Sequence, residues 1–390
     1  MNDRAVLDLL LAGGPLSRPR IGELAGLSKP TASQLLARLE AAGLVVATGT
    51  TEGRPGPGAR LYAIEPRAAY AAGLDVTPRR IRAAVADLTG SVAGEYVVRT
   101  PGRRADAVVR QVTEALDGAV EVAGIPRRAV RRLVVGTPGA FDPSTGRLRY
   151  ASHLPGWHAP ALLDELAAAL PAPVEYENDV NLVAVAEQRL GAGRGHEDFV
   201  LLWSGTGIGA ALLIGGRLHR GVTGGAGEVG FLPVPGTPLA RRVSRTGSGG
   251  FQQLAGARAV VRLAEDLGVE HVGRGPCTRV AAELLERSAD AADAGGGGPH
   301  HRLLDSHATG LATGLAALVA VLDPGLVVLS GPLVRAGGEP LRKRVERELT
   351  DLAAARPRLV IGEVQRHPVL RGALETALAA TRDEVFDTSR

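Results

Sequence analysis

Phe199-Val200-Leu201-Leu202-Trp203-Ser204-Gly205-Thr206-Gly207-Ile208-Gly209 is an apolar run that stops at three alternating glycines. A short continuous apolar run reads as a buried strand. A glycine-rich turn directly after a strand lets backbone N–H groups approach a phosphate. The same turn also suits a tight strand reversal, and both readings stand. Outward from this stretch, strand and helix patterns alternate from Ala69 onward, which predicts an α/β body. Strands are expected at 71–76, 81–88, 133–135, 199–203, 210–214, 326–329 and 359–361, and helices at 161–170, 180–190, 308–322 and 341–355.

Ahead of this body the pattern differs. Residues 4–13 are amphipathic through Ala5, Val6, Leu9 and Leu10, and stop at Gly13-Gly14-Pro15. Ser17 is placed to cap a second helix with Pro19 in its first turn, ending at Gly26. Ser28 caps a third helix, with Pro30 in its first turn and Ala32, Leu35, Leu36 and Leu39 as its buried stripe. Three short helices with a tight turn before the third make a helix-turn-helix. The runs 44–46 and 60–64, on either side of a Gly/Pro loop, predict a β-hairpin wing. The module closes near Pro66, so residues 1–66 read as a winged helix-turn-helix (α+β) and residues 67–390 as the body.

On a helix beginning at Lys29, the side chains of Thr31, Gln34 and Arg38 share the face opposite the leucines. Gln suits adenine in the major groove and Arg suits guanine. Lys29 and Ser33 are placed for phosphate, and Arg54, in a Gly-Arg-Pro wing tip, for a minor groove or the backbone. The expected partner is a double-stranded DNA operator. Modules of this type read pseudo-palindromes, which predicts a homodimer or homotetramer. A polar helix face also occurs in modules that bind protein alone.

Charge alone does not carry the DNA reading. The chain of 390 residues has a net charge of +4 and a pI near 9.6, but residues 1–65 hold seven basic and six acidic side chains. A single cysteine, Cys277, excludes an intramolecular disulfide and a cysteine-based zinc cluster, and reads as inert. No apolar run reaches the length of a membrane span, and Asp3 and Asp8 do not fit a secretory signal, so a cytoplasmic protein without membrane partner is expected.

Five segments then converge: Gly136-Thr137-Pro138-Gly139, Leu154-Pro155-Gly156-Trp157, Glu177-Asn178-Asp179, the 205–209 turn, and Gly225-Ala226-Gly227-Glu228-Val229-Gly230. In this order, behind a winged helix, they resemble the ROK family (repressors, open reading frames and kinases), and in particular its transcriptional regulators. The resemblance implies a two-lobed α/β body of the sugar kinase, hexokinase and actin-like kind. The first lobe would cover about 67–178 plus the C-terminal helix, and the second about 179–370. It further implies that Asp179 matches the general base of the family's kinases, and that Asn178, Asp179, Glu228, His153 and Gly139 lie at the ligand site. Amide and carboxylate groups suit sugar hydroxyls, which both donate and accept.

Three departures from the family's pattern bear on activity. Its phosphate loop begins Asp-x-Gly-Gly-Thr, whereas Asp75 is followed here by Val76-Thr77-Pro78-Arg79; a proline removes an N–H and fixes φ. The position of a zinc-binding histidine is Phe231, and residues 241–253 contain no cysteine, so no metal is expected. Gln252 stands where the resemblance places a sugar-binding Glu, and His153 where an Asn is common. These changes predict a protein without cofactor and without ATP phosphotransfer: a DNA-binding regulator, a repressor, that senses a sugar or sugar-like effector. The alternatives are a sugar kinase fused to a DNA-binding module and a ligand-independent regulator. Trp157 fits either packing or a sugar platform. Residues 295–298 predict an exposed loop that takes His300, His301 and His307 into solvent.

Overall fold

The computed structural model describes residues 2–50, 58–100, 107–142, 147–149, 154, 156–157, 159, 161–241, 249–270, 273, 275–295 and 297–387. Helices α1 (Asn2–Gly13), α2 (Arg18–Ala25) and α3 (Lys29–Ala41) enclose Val6, Leu7, Leu10, Ile21, Leu35, Leu36 and Leu39. Each such side chain taken out of water contributes about 2 kcal/mol. The turn between α2 and α3 is tight because Gly26 takes φ 65°, a left-handed angle that costs glycine little, and Leu27 N–H returns to Gly22 O at 2.8 Å. Ser28 caps α3, its Oγ accepting from Thr31 N–H at 3.3 Å.

Ser17 does not cap as expected. Its backbone holds the N-cap position of α2, but its side chain makes no cap hydrogen bond. Extended Leu16–Ser17 instead forms a short strand, β1, paired antiparallel with β3 (Arg60–Ile64), which also pairs with β2 (Val45–Thr50). The wing is therefore the outer part of a three-stranded sheet in the order β1-β3-β2.

The chain divides into two compact units. The first comprises Met1–Gly136, Pro155–Tyr176 and Ala373–Arg390, and the second Thr137–Leu154 and Glu177–Gly372. Residues 137–154, read from sequence with the first lobe, group with the second unit.

In the first unit, β4 (Tyr70–Thr77), β5 (Arg80–Asp87) and β6 (Val92–Arg99) form an antiparallel meander. β7 (Val130–Thr137) adds parallel to β4, and β10 (Val174–Asn178) completes the order β10-β7-β4-β5-β6. Helix α4 (Val108–Ala123) covers β5 and β6. The C-terminal helix α12 (Pro368–Asp387) reaches the winged module: Phe386, 2% exposed, joins its core beside Ala69 and Leu88. Arg4 pairs with Asp383 at 2.7 Å and lies 5.3 Å above the Phe386 ring, while Arg132 pairs with Glu384 at 2.7 Å.

In the second unit, β11 (Phe199–Ser204) and β12 (Ile208–Ile214) form a hairpin. β14 (Leu326–Ser330) runs parallel to β11, and β15 (Arg358–Ile361) parallel to β14. Successive strand side chains alternate between two cores. Val200, Leu202, Val327 and Leu329 pack with α7 (Gly250–Ala255), α9 (Cys277–Asp293), α10 (Pro299–Leu322) and α11 (Pro332–Leu352). Phe199, Leu201, Leu326 and Val328 face the other way, with Val183 and Ala184 of α6 (Asp179–Leu190).

The histidines expected in a solvated loop lie instead on a helix. Helix α10 begins at Pro299, whose missing N–H costs nothing in a first turn, so all three histidines are helical. His300 Nδ1 meets Ser288 Oγ at 2.9 Å, and His301 Nε2 meets Ala291 O at 3.3 Å. His307 is buried, and desolvation pushes its pKa down to about 4. Among the described residues, α10 is the one helix long and apolar enough to cross a membrane; half of that window is buried inside the protein.

Candidate functional site

The exposed face of α3 is built by its leucines, which turn Lys29, Thr31, Gln34 and Arg38 outward. Lys29 and Gln34 have no side-chain hydrogen-bond partner among the described residues. Thr31 Oγ1 is held by Ser28 Oγ at 2.7 Å. Ser33 is half-buried and occupied: its hydroxyl donates to Lys29 O at 2.9 Å and accepts from Arg18 Nη1 at 3.1 Å. Arg38 is also engaged, donating Nε and Nη2 to the two carboxylate oxygens of Asp3. Arg54 lies outside the described residues. Sequence reading missed Arg18, which the start of α2 places beside Ser33; an Arg immediately before a helix-opening Pro is a weak signal.

A second constellation lies in the second unit, where β10 passes directly into α6. Asn178 is the N-cap: its Oδ1 accepts from Val180 N–H at 2.8 Å and Asn181 N–H at 3.1 Å, while Nδ2 donates to Gly139 O at 3.0 Å. Much of its hydrogen-bonding capacity is therefore spent on the scaffold. Asp179, half-buried in the first turn, accepts from Val180 N–H at 2.8 Å, in the region where the helix dipole favours a carboxylate. Buried Glu177 accepts from Asn178 N–H and Asn181 Nδ2, both at 2.8 Å, and from Arg220 Nε at 2.6 Å.

Arg220 begins the loop that carries Glu228. Ala210 fixes this loop to β12, its N–H donating to Gly227 O at 2.9 Å. At φ 92°, with no room for a Cβ against Ala210 O, position 227 requires glycine. Glu228 itself is half-buried, burial raises its pKa above the usual carboxylate range, and no side chain among the described residues bonds to its carboxylate. The structure thus joins Gly139, Asn178, Asp179 and the Glu228 loop through Glu177 and Arg220. His153 lies outside the described residues. Trp157, 6% exposed, is packed in the first unit.

The 205–209 stretch forms the β11–β12 reversal, with Ser204 opposite Ile208 and Gly205 N–H donating to Gly207 O at 3.0 Å. Gln252 latches it: Oε1 accepts from Ile208 N–H at 2.6 Å, and Nε2 donates to Thr206 O at 3.2 Å. The Ile208 N–H is therefore taken. In the first unit, Pro78-Arg79 is a two-residue turn between β4 and β5. Thr77 Oγ1 donates to Arg80 O at 2.9 Å and accepts from Arg80 N–H at 3.2 Å, closing the turn on itself. Desolvation raises the pKa of neighbouring Asp75, opposed by Arg80 and Arg82. At the family's zinc position, Phe231 offers carbon only. Among the described residues no cluster of three His, Cys, Asp or Glu can hold a metal.

Residues 71–380 match the ROK family and residues 2–54 the MarR family. A glucokinase from Streptomyces coelicolor is 28% identical over 71% of this chain and 87% of its own length. A putative xylose repressor from a Caldicellulosiruptor species is 24% identical over 84% of this chain and 82% of its own. The crystal structure of a ROK family transcriptional regulator, a homologue of the E. coli MLC protein, superposes with a TM-score of 0.76. It covers 100% of this chain and 98% of its own at 18% identity, a likeness of fold. With the family match extending across the whole body and a MarR-type module ahead of it, the chain belongs to the ROK family.

Proposed function

We propose that this protein is a DNA-binding transcriptional regulator, a repressor acting in the cytoplasm as a homodimer or homotetramer, whose kinase-like body binds a sugar or related metabolite without phosphorylating it. The observation that carries the reading is the contrast within the body. Glu228 offers a half-buried carboxylate with no side-chain partner among the described residues, while the turn at Thr77–Arg80 has closed on its own hydroxyl and N–H groups. A group left desolvated without a partner is an acceptor awaiting a donor such as a sugar hydroxyl. In the N-terminal module, Arg18 and Lys29 supply phosphate contacts beside Ser33, and α3 enters the major groove.

An effector shifts DNA affinity only by binding one state of the protein better than another. Mobility shift of the native upstream DNA, repeated with a panel of sugars, is expected to show a complex that one sugar weakens. Absence of any complex at moderate salt sinks the proposal. A sugar kinase reading is favoured by Asp179 at the head of α6, where the family's base stands. An ADP-release assay over the same panel decides between them, since turnover lost in Asp179→Asn establishes the kinase.

A further inference from the structure

We infer that two copies of this chain pair along the outer edge of β6, antiparallel about a twofold axis at Val97, and so join two five-stranded sheets into one. The inference rests on the reading that the protein is a homo-oligomer and names a surface for it.

β6 ends the order β10-β7-β4-β5-β6, so along its outer side no strand stands beside it among the described residues. Such an edge presents a row of unpaired N–H and C=O groups, a template for another strand that proteins blunt by shortening, proline or a bulge. β6 has eight residues and no proline, whereas the other edge strands among the described residues have six or fewer. Its register with β5 is continuous from Arg99 to Gly94, and the one irregularity lies at its start, beside Val92. Val92, Tyr96 and Val97 are exposed. So is Val122 of α4, one helical turn beyond the Gly118 against which the Tyr96 ring lies. Exposed apolar side chains along a strand edge of this length mark an interaction site.

Charge identifies the occupant as a second copy and fixes the register. Gly94 and Tyr96 face α4, so Glu95, Val97 and Arg99 share the opposite face of the sheet. On that face β5 sets Ala84 opposite Glu95, Arg82 opposite Val97 and Arg80 opposite Arg99. Like charges placed directly opposite repel. Arg99 has no ion pair among the described residues, and Glu95 has Arg82 Nη1 at 3.8 Å. A second β6, turned so that Val97 meets Val97, sets Arg99 against Glu95 of the partner subunit and Glu95 against the partner's Arg99. The carboxylate arrives on the side of Arg99 away from Arg80. Moving the axis one residue either way breaks both pairs, because Val97 then stands opposite Glu95 or opposite Arg99. An isologous interface must be complementary to itself, and in this register the edge is.

The test uses the full chain, with sedimentation equilibrium and thiol crosslinking. In a Cys277→Ser background, Val97→Cys is expected to give a disulfide-linked dimer under mild oxidation, since paired Cα atoms lie about 4.5–5.5 Å apart, within disulfide reach. Ala93→Cys is expected not to crosslink, because its counterpart stands about 27 Å along the strand. Glu95→Arg and Arg99→Glu should each weaken the dimer about tenfold, since the twofold axis reverses two pairs at once. Combining them should restore it. The two side chains are about 13 Å apart on one strand, so this rescue requires a second chain and does not follow from a repaired fold. A dimer that both single reversals leave intact, or equal crosslinking at 93 and 97, overturns the inference while the protein stays a homo-oligomer. A monomer at every concentration overturns both.

Discussion

Glu187 is a carboxylate with no exposed surface that holds two loops of the second unit. Its Oε2 accepts from Ala192 N–H at 2.9 Å and Glu363 N–H at 3.1 Å, and its Oε1 from Val364 N–H at 2.9 Å. Replacing it with Gln keeps the shape and turns one oxygen into a donor. The amide will orient to sacrifice Val364 alone, losing one charge-assisted bond, setting a donor against a donor and weakening the other two from charged to neutral. At about 1.5–3 kcal/mol for a bond to a charged group and about 1 kcal/mol for a neutral one, Glu187→Gln should cost about 2.5–7 kcal/mol. Glu187→Ala strands all three N–H groups and should cost more. Glu346→Gln, which breaks an exposed ion pair with Arg342, is the control and should change stability by under about 0.5 kcal/mol. Guanidinium denaturation followed by circular dichroism measures the differences; a Glu187→Gln loss no greater than that of the control refutes the account.

Three further outcomes are expected. Glu228→Gln should raise the melting temperature of the unliganded chain at pH 7, because the raised pKa means that burying the charged form costs stability. The gain should vanish as acid protonates the wild-type carboxyl, and the variant should lose any sugar-induced thermal shift seen in wild type. His307, held at about 4 against 6.5 unfolded, should cost the chain stability as pH falls through that window, reaching about 3 kcal/mol below it, and His307→Leu should flatten the profile measured by melting at pH 7, 5.5 and 4. Phe386→Ala should remove about 3–4 kcal/mol of packing from the module core and make residues 2–50 sensitive to limited proteolysis, while wild type resists.

The fold was legible where periodicity was strong. The leucine stripe of α3 and the apolar run 199–203 each bury one face or two, and their side chains say so without context. Strand β6 was not read, because as an edge strand it buries only Gly94 and Val98 and shows no alternation. Helix α10 was read only from Ala308, since its first turns carry histidines that pack against Ser288 and Ala291 in partnerships no local pattern announces. At the β10–α6 junction, the Glu-Asn-Asp motif was legible as a helix start but not in its division of labour. That Asn178 caps a helix and Glu177 grips Arg220, 43 positions away, depends on tertiary contacts. The latch of Gln252 on Ile208, the Arg18–Ser33 contact and the Asp3–Arg38 pair were invisible for the same reason.

The burial of Phe386 in the core of the winged module has a consequence for synthesis. A ribosome makes residues 2–64 first and Phe386 more than 300 residues later, about 20–60 s at bacterial elongation rates. During that interval the module lacks an aromatic ring at its centre, and Arg4 lacks both Asp383 and the ring beneath it. A nascent chain therefore carries an unfinished winged module, whose core is completed by α12 only after the body has been made.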